Sequence, residues 1–537
     1  MPVITYDDFS GGLDVRTDAA VSEVNILRVL QNAYVTTGRK KKIKKRPCLN
    51  HIATLEAGTV GLKTFGGVLN TFYGDAATIT HSNPLFVARR VPHPTTGAAP
   101  TKIHFCEQFN ALMYVVAEYA GPVYRHHYLD GGTTGSPIWV TATAYAVGVF
   151  RTPTVQNGFR YEVTAILGTG TSGGVEPTWP TTIGGTVVDN AGANQITWTA
   201  RSFSITDVNC PHSKQAAKQA EKMFAVGVNR TTVPFSATGN PRDWTTASDA
   251  GFLPAGLYSA GSDEVTALHL FQKKGLAVFF GDNTQVWGVD PDPDLHDLTS
   301  NIEGIGTLFS NAAHPVSQDL FFHAQNGFRS LSQIALTDNL QENDVGSAID
   351  DLVVDSTSDT DDPLGVYYQR LGQYWEFNGN TAWVYSFSRA SKLSAWSKFT
   401  FEITVDDATV LNQQLYVRSG DDVYRVDPDV YKDGASDIPL VDVQMFYQDA
   451  KRPGVLKMFM GLDTIGQGTS TISFKFFDED GAEHETQGYE YPAMTESGPL
   501  HPVELCATRV APHIQHQKDE VYETSILMLV YEDLAVR

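Results

Sequence analysis

Short apolar runs separated by tight polar turns recur through the middle of the chain. Gly275 to Phe280 faces Thr284 to Val289 across Gly281-Asp282-Asn283, and Asp319 to Ala324 faces Phe328 to Leu331 across Gln325-Asn326-Gly327. Gln373 to Phe377 and Thr381 to Phe387 flank Asn378-Gly379-Asn380, while Gln414 to Arg418 and Val423 to Val426 flank Ser419-Gly420-Asp421. Asn and Gly tolerate the positive φ that tight hairpins demand, so each stretch predicts an antiparallel hairpin. The turns fall roughly 40 to 55 residues apart, the length of a four-stranded propeller blade. Two earlier turns keep that spacing: Gly74-Asp75, between Thr71-Phe72-Tyr73 and Ala77 to Thr80, and Gly121-Pro122, between Leu112 to Ala117 and Val123-Tyr124.

The spacing breaks over residues 139–201. Strands at Tyr161 to Leu167 and Gln195 to Ala200 bracket a Gly/Thr/Pro-rich middle, which predicts a small inserted β-domain. Removing it brings the next turn, near Asn229, back to the common spacing. Lys214 to Met223 is locally helix-prone, and Lys222 to Val228 opens the central array. Asn240-Pro241-Arg242-Asp243-Trp244 ends a unit with a turn and an aromatic. The acidic stretch Asp350 to Asp362, with Asp344 nearby, reads as a solvated loop without the ligand spacing of a calcium site. Beyond Ser436 the strands lengthen, as in Val441 to Tyr447, Leu456 to Leu462 and Thr471 to Phe477, with a turn at Asp478-Glu479-Asp480-Gly481.

At the N-terminal end, Ser22 is placed to cap a short helix with Ile26, Leu30 and Ala33 on one face. A strand at Asn32-Ala33-Tyr34-Val35 and a turn at Thr37-Gly38 follow. The expected fold is mainly β: a propeller-like body of repeated antiparallel sheets, an inserted small β-domain and a C-terminal β region. The expected divisions are 1–50, a strand and helix segment; 51–138, first propeller strands; 139–201, the insert; 202–435, the main blades; and 436–537, a closing blade or separate sandwich.

Charge changes the picture most. Lys plus Arg number 39 against 61 Asp plus Glu, a formal charge of −22 over 537 residues. Such a chain repels phosphates in general, yet it suits a wall along which DNA slides without sticking. One run opposes the trend: Arg39 to Arg46 holds seven cations. It reads as a grip for a phosphate backbone or an acidic partner protein, or as an edge strand whose lysines discourage edge-to-edge pairing.

Reactive constellations are absent or incomplete. Gly170-Thr171-Ser172-Gly173-Gly174 matches the nucleophile elbow in letters, but Pro177 and Pro180 forbid the helix that must follow. Gly168, Gly170 and Gly173 fail as a dinucleotide loop for the same reason. His126-His127 has no partner at metal spacing, and Cys48, Cys106, Cys210 and Cys506 read as buried free thiols. Asn229-Arg230-Thr231 is an incidental sequon. Trp179 and Trp198 fill the insert's core or offer a sugar platform; Trp287, Trp375, Trp383 and Trp396 read as core. No catalytic, cofactor-binding or metal residues are nominated, and no cofactor is expected. The first residues lack a secretion signal and no run reaches the ~18 apolar residues of a membrane span, so synthesis in a cytoplasm is expected.

Several of these residues carry a family resemblance. Phe9-Ser10-Gly11-Gly12-Leu13, Asn32-Ala33-Tyr34-Val35, Gly38 and Lys45-Arg46-Pro47 resemble the N-terminal signature of the tail nozzle proteins of short-tailed bacteriophages. These are also called tail tubular protein B or packaged-DNA stabilisation protein. The signature ends in a glycine where this chain has Cys48. Asn240 to Trp244, Asn326-Gly327-Phe328-Arg329 and Ala395-Trp396-Ser397 are similar to the family's blade motifs. Tyr161, Gly170 to Gly173, Glu176 to Pro180, Gly184, Asp189 and Thr197-Trp198 resemble a small β-domain of phage tail proteins; the usual Asp-Gly turn is here Asp189-Asn190. The resemblance implies a non-enzymatic virion protein, made in the host bacterial cytoplasm and placed at the distal tail. It implies a homo-hexamer below an adaptor ring, with fibres or spikes nearby, that retains packaged double-stranded DNA and conducts it without sequence-specific binding. Six copies carry roughly −130 in total, which suits a lumen that DNA does not wet. The alternative is a tail-associated glycan-binding or glycan-degrading receptor protein on a propeller scaffold, with host surface glycan as its partner.

Overall fold

The computed structural model describes residues 2–16, 25–38, 40–73, 81–129, 138–155, 157, 159–202, 204–259, 263–332, 344–478, 481–492, 496, 498 and 500–536. It is mainly β, a succession of small sheets, propeller-like in that repetition, with an inserted β-domain and a C-terminal β region. By contact, the chain divides into two units that do not follow sequence order. One holds Thr54–Leu320 with Asp407–Asn412; the other holds Met1–Ala53, Phe321–Asp406 and Gln413–Arg537.

In the first unit each sheet is built from neighbouring strands. Pro100–Phe109, Leu112–Tyr119 and Val123–Leu129 form one antiparallel sheet. Ala216–Gln219, Lys222–Ala225, Val233–Phe235 and Gly251–Leu253 form a second, and Ala267–Phe271, Gly275–Phe279, Asn283–Gly288 and Asp297–Glu303 a third. Consecutive sheets share their cores. Phe109, Tyr114 and Tyr128 pack with Met223, Ala225 and Trp244. On the other face of the second sheet, Phe224, Val233 and Leu253 pack with Leu276, Val278 and Trp287. Sheets buried on both faces by their neighbours are the packing mode of propeller blades. The strand Asp407–Leu411 joins Thr59–Phe65, its partner some 345 residues earlier: buried Asp407 accepts from Leu62 N at 2.9 Å and pairs with Lys63 Nζ at 2.7 Å.

The hairpins foreseen at Asp282, Asn326, Gly379 and Gly420 are all present, with Gly379 and Gly420 at φ +60° and +57°. The four blade tryptophans are buried. Two of them share a device. Trp287 Nε1 donates to Gln285 Oε1 at 3.0 Å, and Trp375 Nε1 donates to Gln373 Oε1 at 3.0 Å, each two residues along its own strand in a different sheet. Each glutamine amide then donates onward, to Ala255 O at 2.9 Å and to Ser386 Oγ at 3.0 Å.

Several expectations are corrected. Ile26–Gln31 is a strand, not a helix, running parallel to Gly12–Leu13 and antiparallel to Val441–Met445. Pairing on both edges overrides local preference; Ser22 lies outside the described residues. Lys214 to Met223 enters a hairpin instead of a helix, with Ala220 and Glu221 at φ +49° and +57° in its turn. Its alternation explains this: Ala217 and Phe224 point into one core, Ala216, Met223 and Ala225 into the other. Asp350–Ser356 is a short helix rather than a loop, because Val353 is buried and Asp350 pairs with Arg329 at 2.9 Å. Val68–Tyr73 pairs with Thr59–Phe65 and, in parallel, with Phe86–Arg90; Ala77 to Thr80 lie outside the described residues. Cys48 and Cys210 are buried, but Cys106 is half-buried and Cys506 exposed.

The Gln–Trp pairs give a direct test. Gln373→Leu keeps the volume but strands the buried Trp375 N–H, so urea denaturation is expected to show a loss of about 1–3 kcal/mol.

Candidate functional site

Of the residues that carry the family resemblance, Asn240 to Trp244 and the insert residues lie in the first unit, while the N-terminal signature, Asn326 to Arg329 and Ala395 to Ser397 lie in the second, where several of them meet. Gly12 has φ +62°, and a Cβ there would lie 2.7 Å from Ala395 Cα and 2.8 Å from Trp396 N. Only glycine lets the segment Phe9 to Leu13 lie against Ala395-Trp396-Ser397, with Gly12 bridged to Trp396. Trp396 in turn stacks on Phe328 at 4.5 Å. Next to Phe328, Arg329 Nη1 donates to both oxygens of Asp350, and its guanidinium also faces Asp344 at 3.5 Å. Three motifs separated by tens to hundreds of residues are therefore one packing unit.

A second convergence lies at Arg46. Its side chain is sealed from solvent, and all five N–H groups are used. Nε donates to Asn32 Oδ1 at 3.1 Å; Nη1 donates to Asp433 Oδ1 at 3.0 Å and Pro47 O at 3.1 Å; Nη2 donates to Thr400 O at 2.9 Å and to Asp433 Oδ2. The Phe401 ring lies 4.3 Å from the guanidinium carbon. Asn32, at φ +52°, completes the knot by accepting from Thr400 N at 2.9 Å and donating to Leu440 O at 2.8 Å. Asp433 also accepts from Leu49 N at 2.7 Å. Cys48, where the family has glycine, is buried and begins the strand Cys48–Thr54; burial pushes its thiol up to about 12.

The rest of the basic run is partly spent internally. Ile43–Lys45 pairs with Ala33–Val35 on one side and Glu523–Thr524 on the other, so it is not an edge strand. Lys42 Nζ lies 2.6 Å from Glu523, Lys44 Nζ 3.9 Å from the same carboxylate, and Lys41 Nζ 3.4 Å from Asp8. Buried Lys45 donates to Lys518 O at 2.8 Å, and burial lowers its pKa. Burial pulls Asp8 up, but hydrogen bonds from Ser10 and Lys41 outweigh it, leaving the carboxyl lowered. A cleft of about 770 Å³ opens here between Lys40 to Lys42 and Asp7, Asp8 and Glu523, beside Gly466 and Ser525. Its charges are mixed, so it is no polyphosphate track. Arg39 lies outside the described residues.

The other sequence candidates are structural. Ser172 Oγ donates to Val140 O at 2.7 Å and accepts from Thr143 N at 2.9 Å, a buried stitch and not a nucleophile at a helix. His126 bridges Tyr114 OH at 2.7 Å and Ser213 O at 2.8 Å; burial lowers its pKa to about 4. His127 meets Tyr119 OH at 2.8 Å. Asn229 Oδ1 caps its own turn by accepting from Thr231 N and Thr232 N. Trp198 is fully buried, which removes it as a sugar platform; Trp179 lies half-buried on Tyr161, 4.2 Å between ring centres, and donates to Glu176 at 2.7 Å. Among the described residues no group of three or more His, Cys, Asp or Glu could hold a metal ion, and no helix is long and apolar enough to cross a membrane.

One constellation had no signal in the sequence. His513 is clamped between two carboxylates, Asp442 at 2.5 Å from Nε2 and Glu485 at 2.7 Å from Nδ1, and Ser473 Oγ donates to the same Glu485 oxygen at 2.5 Å. The four residues come from four strands, so only pairing brings them together.

No family model matches this chain, and no curated protein matches it. Among solved structures, a similar chain is the exo-beta-1,3-galactanase from Phanerochaete chrysosporium with galactose. It is 8% identical, with 82% of this chain and 96% of that one covered, at a TM-score of 0.20. A likeness that low carries no argument about function.

Two outcomes follow from the geometry. Arg46→Lys keeps the charge but loses the fork and leaves Asp433 and Asn32 under-satisfied, so chemical denaturation is expected to show a loss of about 1–3 kcal/mol. For His513, burial opposes the charged form, but the hydrogen bonds to Asp442 and Glu485 and their charges outweigh it and raise its pKa. Its stabilisation is full below the unfolded pKa near 6.5 and is lost as pH rises through the higher folded value. A stability-against-pH series is expected to fall across that window, and His513→Gln to flatten it.

Proposed function

We propose that this chain is the subunit of a hexameric distal tail nozzle of a short-tailed bacteriophage, which retains packaged DNA and conducts it during ejection. In this reading it docks under an adaptor ring, carries fibres or spikes nearby, and performs no catalysis. The observation that carries the reading is the mutual packing of the signature residues. Gly12, Trp396 and Phe328 hold one another, and Asn32 and Arg46 hold one another through Thr400 and Asp433. A signature whose members fix a scaffold is what a structural ring subunit needs. The charge of −22 supports the same reading, since an acidic wall repels the polymer that passes it.

The purified chain is expected to sediment at six times its monomer mass and to appear as six-fold rings by negative-stain microscopy. A stable monomer, or rings of another order, contradicts the proposal.

A further inference from the structure

The segment that leaves the insert is held down by histidines. Beyond Ile196–Ser202, the last strand of the insert, residues 204–213 run beside Val123–Leu129, the strand that carries His126 and His127. Ser204 bridges His127, and Ile205 N donates to His126 O at 2.9 Å. At the far end, His126 Nε2 donates to Ser213 O at 2.8 Å, and His126 N donates to His212 Nδ1 at 3.3 Å. Between these ends Cys210 is buried in a core shared with Phe109, Tyr114 and Tyr128, its thiol 3.7 Å from His212 Nδ1. His212 sits at φ +46°, a left-handed conformation uncommon outside glycine.

These bonds require uncharged rings. A carbonyl only accepts, so the single ring proton of His126 sits on Nε2, and Nδ1 faces the Tyr114 hydroxyl at 2.7 Å as an acceptor. A backbone N–H only donates, so His212 Nδ1 must be bare. A proton there would set two N–H groups head to head. The two rings lie 5.6 Å apart, so charging both adds repulsion. The surroundings do not favour a charge either. Arg125 precedes His126, and Lys214 follows Ser213. His127 meets Tyr119 OH, and His93 packs edge-on against the Tyr119 ring at 5.0 Å. The carboxylates nearby are already engaged. Glu118 holds His104 at 2.6 Å, and Asp207 accepts from Asn209 N, Trp244 N and the Thr245 hydroxyl. Burial is the main reason that His126 is lowered to about 4 and His212 to about 3; Arg125 lowers both further, His126 lowers His212, and the bond to Ser213 offsets only part of the shift at His126. His513, clamped by carboxylates, titrates in the opposite sense.

We propose that His126 and His212 form an acid-released latch on the segment that returns from the insert. Above the unfolded pKa near 6.5 the neutral rings hold residues 204–213 in place, and that stabilisation is lost as pH falls through the depressed folded values. Val123–Leu129 stays paired with Leu112–Tyr119 along its other edge, so the latch can open while the sheet remains. Acid thereby frees the tether at one end of the insert. The inference does not draw on the nozzle reading.

The test is labelling of the four cysteines of the full chain with dithiodipyridine, read by peptide mass and taken relative to exposed Cys506. From about pH 7.5 to about pH 5, labelling of Cys210 is expected to rise about tenfold or more, while buried Cys48 stays protected because only the segment opens. His212→Asn keeps an acceptor for His126 N–H, suits the left-handed position and does not titrate, so the rise is expected to shrink about threefold or more. His126→Gln, which keeps a donor for Ser213 O, carries the same expectation if His212→Asn does not fold, and the wild-type profile alone decides if neither folds. Labelling of Cys210 that is flat in pH, or that rises together with Cys48, overturns the inference. A rise that both variants retain in full overturns it as well. Ring assembly is not read by this experiment, so its outcome leaves the nozzle reading untouched.

Discussion

The second unit depends on one buried cation. Arg46 brings a full charge into a sealed site, which is costly unless every donor is met and a carboxylate sits opposite. Asp433 supplies the charge, and Asn32, Pro47 and Thr400 supply the remaining acceptors. Thr400 and Asp433 lie 354 and 387 residues from Arg46, so the N-terminal segment cannot seat correctly until the later strands are in place. Wrong arrangements leave an unpaired guanidinium and are penalised by that amount. The knot therefore selects one register as much as it stabilises it.

The same logic extends along the N-terminal segment. Gly12 allows an approach that any side chain would block, and Asn32 adopts a left-handed turn at the end of its strand. Val3–Tyr6 and Ile43–Lys45 add to the long strand Glu523–Val536. The described residues among 1–50 are thus woven into sheets made mostly of much later residues, and Ile43–Lys45 of the basic run is part of that weave. Lys42, Lys44 and Lys41 meet Glu523 and Asp8 because sheet pairing places them there.

Local turn chemistry made much of the fold legible. Asn-Gly and Gly-Asp turns between alternating strands located the hairpins, since few residues tolerate those dihedrals. The insert was legible because it interrupts a period and its strands bracket a Gly/Thr/Pro-rich middle. Ile26–Gln31 was not, because an aliphatic run fits a helix or a doubly paired strand equally well. The hairpin at Ala216–Ala225 was hidden by helix-forming residues whose alternation only matters once two cores flank it. At the candidate site, the signature residues were visible but their partners were not. Asp433, Thr400 and the clamp around His513 are defined by contacts across tens to hundreds of residues, and no local pattern encodes those.

A structure held by a buried ion pair, with sealed histidines and a serine used as a stitch, puts its chemistry into rigidity. Under the proposed function, the charge of −22 suits a conduit for a polyanion. For the proposed function the most direct measurement is a reconstruction of a short-tailed phage particle that encodes this chain, with an antibody fragment raised against the chain bound to it. The account predicts six fragments around the far end of the tail; fragments on the capsid or on fibres, or none on the particle, would contradict it.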